Sequence, residues 1–161
     1  MKLTNEGIKD KSKWEEKGYS LPKYDREIIK ENTKKNPEWI HFGAGNIFRA
    51  FQANVVEDLL NQGTTGTNGC EACMNTGIIV AEGYDYEIVE KMNQPHDDLS
   101  ILVTLKADKT VEKIVVGSIV ESCILDENNE AEIARLKEIF SAPSLKMVSF
   151  TITEKGYKTF E

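Results

Sequence analysis

The chain has 161 residues, 40% hydrophobic and 29% charged, long enough to bury one core without disulfide or metal staples and too mixed to be disordered or fibrous. Its 27 acidic against 20 basic side chains leave a formal charge of −7, which argues against a nucleic-acid partner, because no basic field exists to displace counterions from phosphates. A small anion stays open, since a helix N-terminus binds one without any net positive charge.

The residues from Met1 to Lys17 are charged throughout and lack the apolar centre of a signal peptide, and no apolar run approaches membrane-spanning length. Three cysteines, Cys70, Cys73 and Cys123, are an odd and low number and read as reduced thiols. A cytoplasmic protein with no membrane partner is therefore expected.

Residues 1–37 are polar, with Lys and Glu interleaved, and the run from Lys9 to Lys17 reads as a solvated helix face. Leu21-Pro22 interrupts this region, Tyr24 to Glu31 has helix character, and Pro37 closes it. It reads as an N-terminal extension packed on a domain that occupies residues 38–161. Glu38 to Phe42 is a short buried strand, followed directly by Gly43-Ala44-Gly45. Ile47, Phe48, Phe51, Val55, Val56, Leu59 and Leu60 then recur at spacings of three and four, the period of an amphipathic helix, which Gly63 stops. Residues 63–75 are rich in Gly and Thr and long for a strand–helix unit, so they form either an insertion or a mobile flap.

Gly77 to Ala81 predicts a second buried strand, and Tyr84 to Met92 a short helix closed by Pro95. Leu99–Leu105 and Val111–Leu125, rich in β-branched residues and divided by a polar turn, predict an antiparallel hairpin. Asn128 to Phe140 is a helix with Ile133, Leu136, Ile139 and Phe140 on one face and Asn128 or Asn129 as its cap; Leu145 to Ile152 is the last strand. Strands alternating with helices give an α/β class: a mostly parallel sheet with flanking helices, an inserted antiparallel hairpin, and a sheet incomplete at the C-terminus.

The chemistry concentrates at the glycine turn. A strand that reverses into a helix within a few residues needs a first glycine, Gly43, for the tight turn; a second, Gly45, leaves no side chain where a pyrophosphate approaches the backbone. The helix begins near Asn46, with unpaired N–H groups and the positive end of its dipole facing the phosphates. The sixth position of the motif is Phe48 rather than the usual glycine or alanine, and taken alone the pattern reads first as an ordinary strand–helix turn; the strand directly before it and the amphipathic helix directly after it turn the balance toward a phosphate site. A dinucleotide site also places an acid at the end of the second strand, for the adenosine ribose hydroxyls. Glu82 stands there, 82 − 45 = 37 residues beyond Gly45, and the Gly/Thr loop accounts for the excess over the usual ~20. The other reading of Glu82 is a solvated strand end. A carboxylate on the ribose would repel a 2′-phosphate, favouring NAD over NADP.

Three blocks in order, H-F-G-A-G-N-I-F-R-A-F from His41, V-V-G-S-I-V-E-S within the hairpin, and S-F-T-I-T-E-K-G-Y ending at Tyr157, resemble the polyol-specific long-chain dehydrogenases, which include mannitol dehydrogenases and fructuronate reductase, also called D-mannonate oxidoreductase. L-P-K-Y-D-R at residues 21–26 resembles the uronate-reducing branch. The resemblance implies an N-terminal Rossmann-type domain that binds NAD(H), followed by a mostly helical substrate domain. It carries cofactor contacts onto Gly43, Gly45, Asn46, Ile47 and Phe48, and it puts Thr153 and Glu154 near the nicotinamide end. The family's catalytic lysine, with nearby Asn and His, belongs to the C-terminal domain and has no match in these 161 residues, so no catalytic residue is assigned. The expected function is the NAD(H)-binding part of an oxidoreductase acting on a small sugar acid or polyol, D-mannonate/fructuronate ahead of mannitol/fructose, and inactive alone. A non-catalytic nucleotide-binding or sensing module is the alternative. Apolar faces left uncovered in so short a chain would favour self-association.

Other residues invite chemistry with less support. Cys70-Glu71-Ala72-Cys73 lacks the second ligand pair of a structural zinc site and reads as two ordinary thiols, so no metal is expected. His41 lies in the buried strand and reads as structural, His96 as exposed, and Lys155 as standing in the wrong block for catalysis. Arg49 either pairs within its helix or approaches a phosphate.

Overall fold

A computed structural model of the chain describes residues 1–65 and 74–152. In chain order the elements are α1 (Lys11–Glu15), β1 (Tyr19–Ser20), α2 (Arg26–Lys35), β2 (Trp39–Phe42), α3 (Asn46–Ala50), α4 (Gln52–Thr65), β3 (Ile78–Glu82), β4 (Ser100–Leu105), β5 (Val111–Val116), β6 (Ile119–Ile124), α5 (Glu130–Ser141) and β7 (Met147–Phe150), with a π-helical turn at Ile88–Asn93. Among the described residues no helix is long and apolar enough to cross a membrane.

Four strands form a wholly parallel sheet in the order β6-β3-β2-β7. Its centre is buried on both faces, as parallel sheets require, and every residue of β3 is buried. The period-two alternation of a strand sends Ile78 and Val80 toward one core and Ile79 and Ala81 toward another. Phe48, Ala53, Val56 and Leu60 of α3 and α4 complete the first core; Leu136 and Ile139 of α5 complete the second. The sheet is thus doubly wound, with the expected parallel strands and flanking helices. β2 leads outward to β3 and then β6 on one side, and β7 returns on the other. The carboxyl ends of β2 and β7 therefore flank a topological switch point, where ligands of open α/β sheets bind.

The second sheet, β1-β5-β4, holds the expected hairpin: β4 and β5 are antiparallel, with Ser100 opposite Val116, and β1 adds in parallel. One detail differs from the sequence reading. Val111 to Leu125 is not one strand but two, broken at Gly117–Ser118, so that β6 leaves the hairpin for the parallel sheet. Buried polar side chains make the break. Glu57 accepts from the Gly117 N–H at 2.8 Å and from the Tyr24 hydroxyl at 2.5 Å. Arg26 donates to the carbonyls of Gly117 at 2.8 Å, Ile119 at 2.7 Å and Asp97 at 2.9 Å, and to Asn5 Oδ1. These side chains take backbone groups that a continuous strand would give to a neighbouring strand.

Two further differences are local. The predicted long helix after the glycine turn is interrupted at Phe51 (φ −110°, ψ −75°), and the predicted short helix after β3 is wound as the π-helical turn. Side chains cap two helices, and of the two expected candidates for α5 it is Asn129 that caps. Asp25 accepts from the amides of Glu27 and Ile28, and Asn129 from that of Glu132.

Arg26→Met keeps the bulk of the side chain and removes its donors, leaving the Gly117 and Ile119 carbonyls without those partners and the Glu57 carboxylate without the favourable charge of Arg26. A loss of about 3 kcal/mol is expected in denaturant unfolding, with the m-value unchanged.

Candidate functional site

The site is built at the carboxyl edge of the parallel sheet. β2 ends at Phe42, and Gly43 reverses the chain with φ +107°, the left-handed region that side chains avoid. Its N–H donates to Ala81 O at 2.8 Å, extending the β2–β3 ladder one residue past the strand. A Cβ on Gly43 would lie 3.2 Å from Thr151 O, so the chain leaving β7 also crowds this position. Gly45 caps α3 without a side chain (φ −69°, ψ 177°), and a Cβ there would meet nothing within 4 Å. The open space beside Gly45 is the cradle a side chain would fill. The amides of the first turn of α3 have no partner inside their own helix.

Structure and chain order together bring the expected residues to one place. Asn46 opens α3 and is exposed; Ile47 follows with 66% of its surface exposed. Phe48 is fully buried, its ring stacked on His41 at 4.0 Å, so only its backbone belongs to the open turn. Glu82, the last residue of β3, is buried beside the turn: Oε2 accepts from Ala44 N–H at 2.8 Å, and Oε1 from the amides of Gly83 and Tyr84, each at 3.0 Å. It is not a solvated strand end. Sequence reading had no signal for these amide partners, nor for Tyr84, whose ring is fully exposed next to Glu82.

Arg49 donates to Asn46 Oδ1 at 2.6 Å, and its other terminal nitrogen lies 3.9 Å from Met92 Sδ. It borders a groove of about 380 Å³ lined also by Asn46, Ala50, His96 and Ser100. His96 is half-buried, its Nδ1 3.0 Å from Leu3 O, instead of exposed as the sequence reading had it.

His41 has no access to solvent. Trp39 Nε1 donates to Ser149 Oγ at 2.7 Å, the same hydroxyl lies 2.7 Å from His41 Nδ1, and Thr151 Oγ1 lies 2.8 Å from Nε2. With Nε2 carrying the proton, the Ser149 hydroxyl donates to Nδ1 and the ring donates to Thr151, so both ring nitrogens are satisfied by a neutral imidazole. Burial holds its pKa down to about 4. A histidine so committed joins β2 to β7 and is structural. Cys123 is buried, and burial pushes its thiol up to about 12. Cys70, Cys73, Thr153, Glu154 and Lys155 lie outside the described residues.

No protein-family model matches the chain. Among curated proteins it is 43% identical to the D-mannonate oxidoreductase of Thermotoga maritima, over 98% of this chain and 27% of that one. It is 28% identical to the mannitol 2-dehydrogenase of Pyricularia oryzae, over 97% of this chain and 28% of that one. The chain thus spans about a quarter of the length of these relatives. Among solved structures, the Pseudomonas fluorescens mannitol 2-dehydrogenase, in a ternary complex with NAD and D-mannitol, superposes with a TM-score of 0.72 at 23% identity, over 98% of this chain and 28% of that one, a likeness of fold.

The buried neutral His41 generates a pH dependence of stability. Its folded pKa lies below the ordinary 6.5, so the unfolded chain binds the proton more readily. The stabilisation is full above pH 6.5 and is lost as pH falls toward 4, by up to about 3 kcal/mol. Urea midpoints measured across this window should show the slope, and His41→Gln should flatten it.

Proposed function

We propose that this chain, a member of the D-mannonate oxidoreductase and mannitol 2-dehydrogenase family over the segment it spans, is the NAD(H)-binding part of an oxidoreductase. The observation that carries the reading is the glycine turn at the switch point of the sheet, with open space at Gly45 and an acid at the end of β3. Residues fit the group. The backbone of Gly45, Asn46, Ile47 and Phe48 would hold the pyrophosphate, Gly43 gives the turn its shape, and Glu82 stands on the adenosine side. NAD(H), when bound, donates or accepts the hydride. The whole protein's substrate would be a small sugar acid or polyol. The 43% identity to a D-mannonate oxidoreductase, against 28% to a mannitol 2-dehydrogenase, favours D-mannonate/fructuronate over mannitol/fructose. The proton-transfer residues would lie in a further domain, so the 161 residues alone would be inactive, and the setting would be cytoplasmic.

The same reading makes residues 38–161 the N-terminal part of the cofactor domain and residues 1–37 an extension packed on it. Contacts of Arg26, and of Trp14 with Leu99 and Val115, hold the extension against the domain. It also accounts for uncovered apolar surface. Ile47, Phe51, Val55 and Leu59 recur every four residues on the outer side of α3 and α4 and are all exposed, as are Met147, Val148 and Phe150 on the edge strand β7. Such surface favours self-association of the isolated chain.

Titration with NADH, followed by fluorescence, tests the cofactor reading. Saturable binding is expected, with NADPH weaker and Gly45→Val lowering affinity about tenfold or more, since a branched side chain would fill the cradle. Absence of NADH binding at millimolar concentration would overturn the reading for this chain. Binding of NADH by a longer chain that turns over neither sugar acids nor polyols would favour a sensing module instead. Sedimentation velocity checks the surface: concentration-dependent association is expected and should weaken in Phe51→Ser.

A further inference from the structure

The turn that the proposed function depends on is held by a side chain. Gly43 and Gly45 flank Ala44, so the peptide units there have the loosest backbone of the β2–α3 connection and need a tie from outside it. Two consecutive donors supply the attachment points. Gly43 N–H is taken by the backbone carbonyl of Ala81, and Ala44 N–H by the carboxylate of Glu82, both at 2.8 Å. The second carboxylate oxygen accepts from Gly83 and Tyr84, on the loop that follows β3. One buried carboxylate therefore binds the loop after β2 to the loop after β3 through charge-assisted hydrogen bonds.

We infer that Glu82 is a positioning residue that fixes the glycine turn before any ligand arrives, over and above any contact with a ribose. With Ala44 N–H turned inward to Glu82, the amides that follow Gly45 are the ones left for an anion. A carboxylate offers about four lone-pair directions, and three short hydrogen bonds to backbone amides leave little capacity for two ribose hydroxyls as well. Aspartate, one methylene shorter, would keep the charge and lose the reach to Ala44.

The inference rests on the dinucleotide reading only for its binding arm, and two measurements keep the two apart. In the first, amide hydrogen exchange is followed by NMR in the ligand-free wild-type chain and in Glu82→Ala. The amide protons of Ala44, Gly83 and Tyr84, on two separate loops, should be protected in wild type and exchange about tenfold faster or more in the variant, while the strand amides of β3 keep their protection and show that the sheet is intact. An Ala44 amide that does not follow the other two overturns the inference without any use of a cofactor.

In the second, affinities for NADH and for its analogue lacking both adenosine ribose hydroxyls are compared in wild type, Glu82→Gln and Glu82→Asp. Positioning predicts a loss of about tenfold in both variants, equal for the two ligands within a factor of about two. A loss that disappears with the dideoxy analogue, or Glu82→Asp binding like wild type, assigns Glu82 to the ribose alone and overturns the inference. If wild type binds neither ligand, the dinucleotide reading fails and hydrogen exchange alone decides the tie.

Discussion

The reversal of the chain at Gly43 is the constraint on which the carboxyl edge of the sheet depends. Its positive φ turns the backbone out of β2, and its N–H still completes the ladder to Ala81. The chain leaving β7 passes so close that a Cβ would press on Thr151 O. Thr151 in turn receives one nitrogen of His41, whose ring stacks on Phe48 in the first turn of α3. A side chain at position 43 would thus strain the turn, the β2–β7 junction and the seat of the following helix at once. Phe48, at a motif position where a small residue is usual, is accommodated by stacking on the imidazole inside the core.

A second buried polar assembly holds the other side of the molecule. Arg26 and Glu57 reach the same break between β5 and β6 from α2 and α4, one through the Gly117 carbonyl and one through its N–H. Burial raises the pKa of Glu57, while hydrogen bonds from Tyr24, Gly117 and Asn61 and the charge of Arg26 oppose that shift. Satisfied polar groups of this kind add little net stability, and they are costly to break, so they define one arrangement of chain over others. Here the arrangement sends one continuous β-branched stretch into two different sheets.

The parallel sheet, the switch point and the glycine turn form one connected object, while the relatives it resembles are about four times as long. Among the described residues β7 is an edge strand of the parallel sheet, and Met147, Val148 and Phe150 on it are exposed. A net charge of −7 does not oppose a phosphate group at the turn, because backbone amides and a helix dipole act within a few ångströms, where distant surface charges are screened.

Sequence alone determined the kinds of most elements and the place of the glycine turn, because both depend on local physics. A short continuous apolar run in I-I-V-A, period 3.6 after Gly45, and two glycines between a strand and a helix are short-range signals. Only the tertiary structure decided which way things face. Spacings of three and four place Ile47, Phe51, Val55 and Leu59 with Phe48, Val56 and Leu60 in one broad apolar stripe, and packing against the sheet buries the second set and leaves the first outside. Within Val111 to Leu125 the one local signal for a break is Gly117, an ambiguous one by itself; Arg26 and Glu57, some 60 to 90 residues away in sequence, take its carbonyl and its N–H and fix the break there. Glu82 was visible as an acid at a strand end, and its grip on Ala44 was not. A hydrogen bond across 38 residues depends on β3 lying beside β2 in a particular register, and register is a property of the folded sheet.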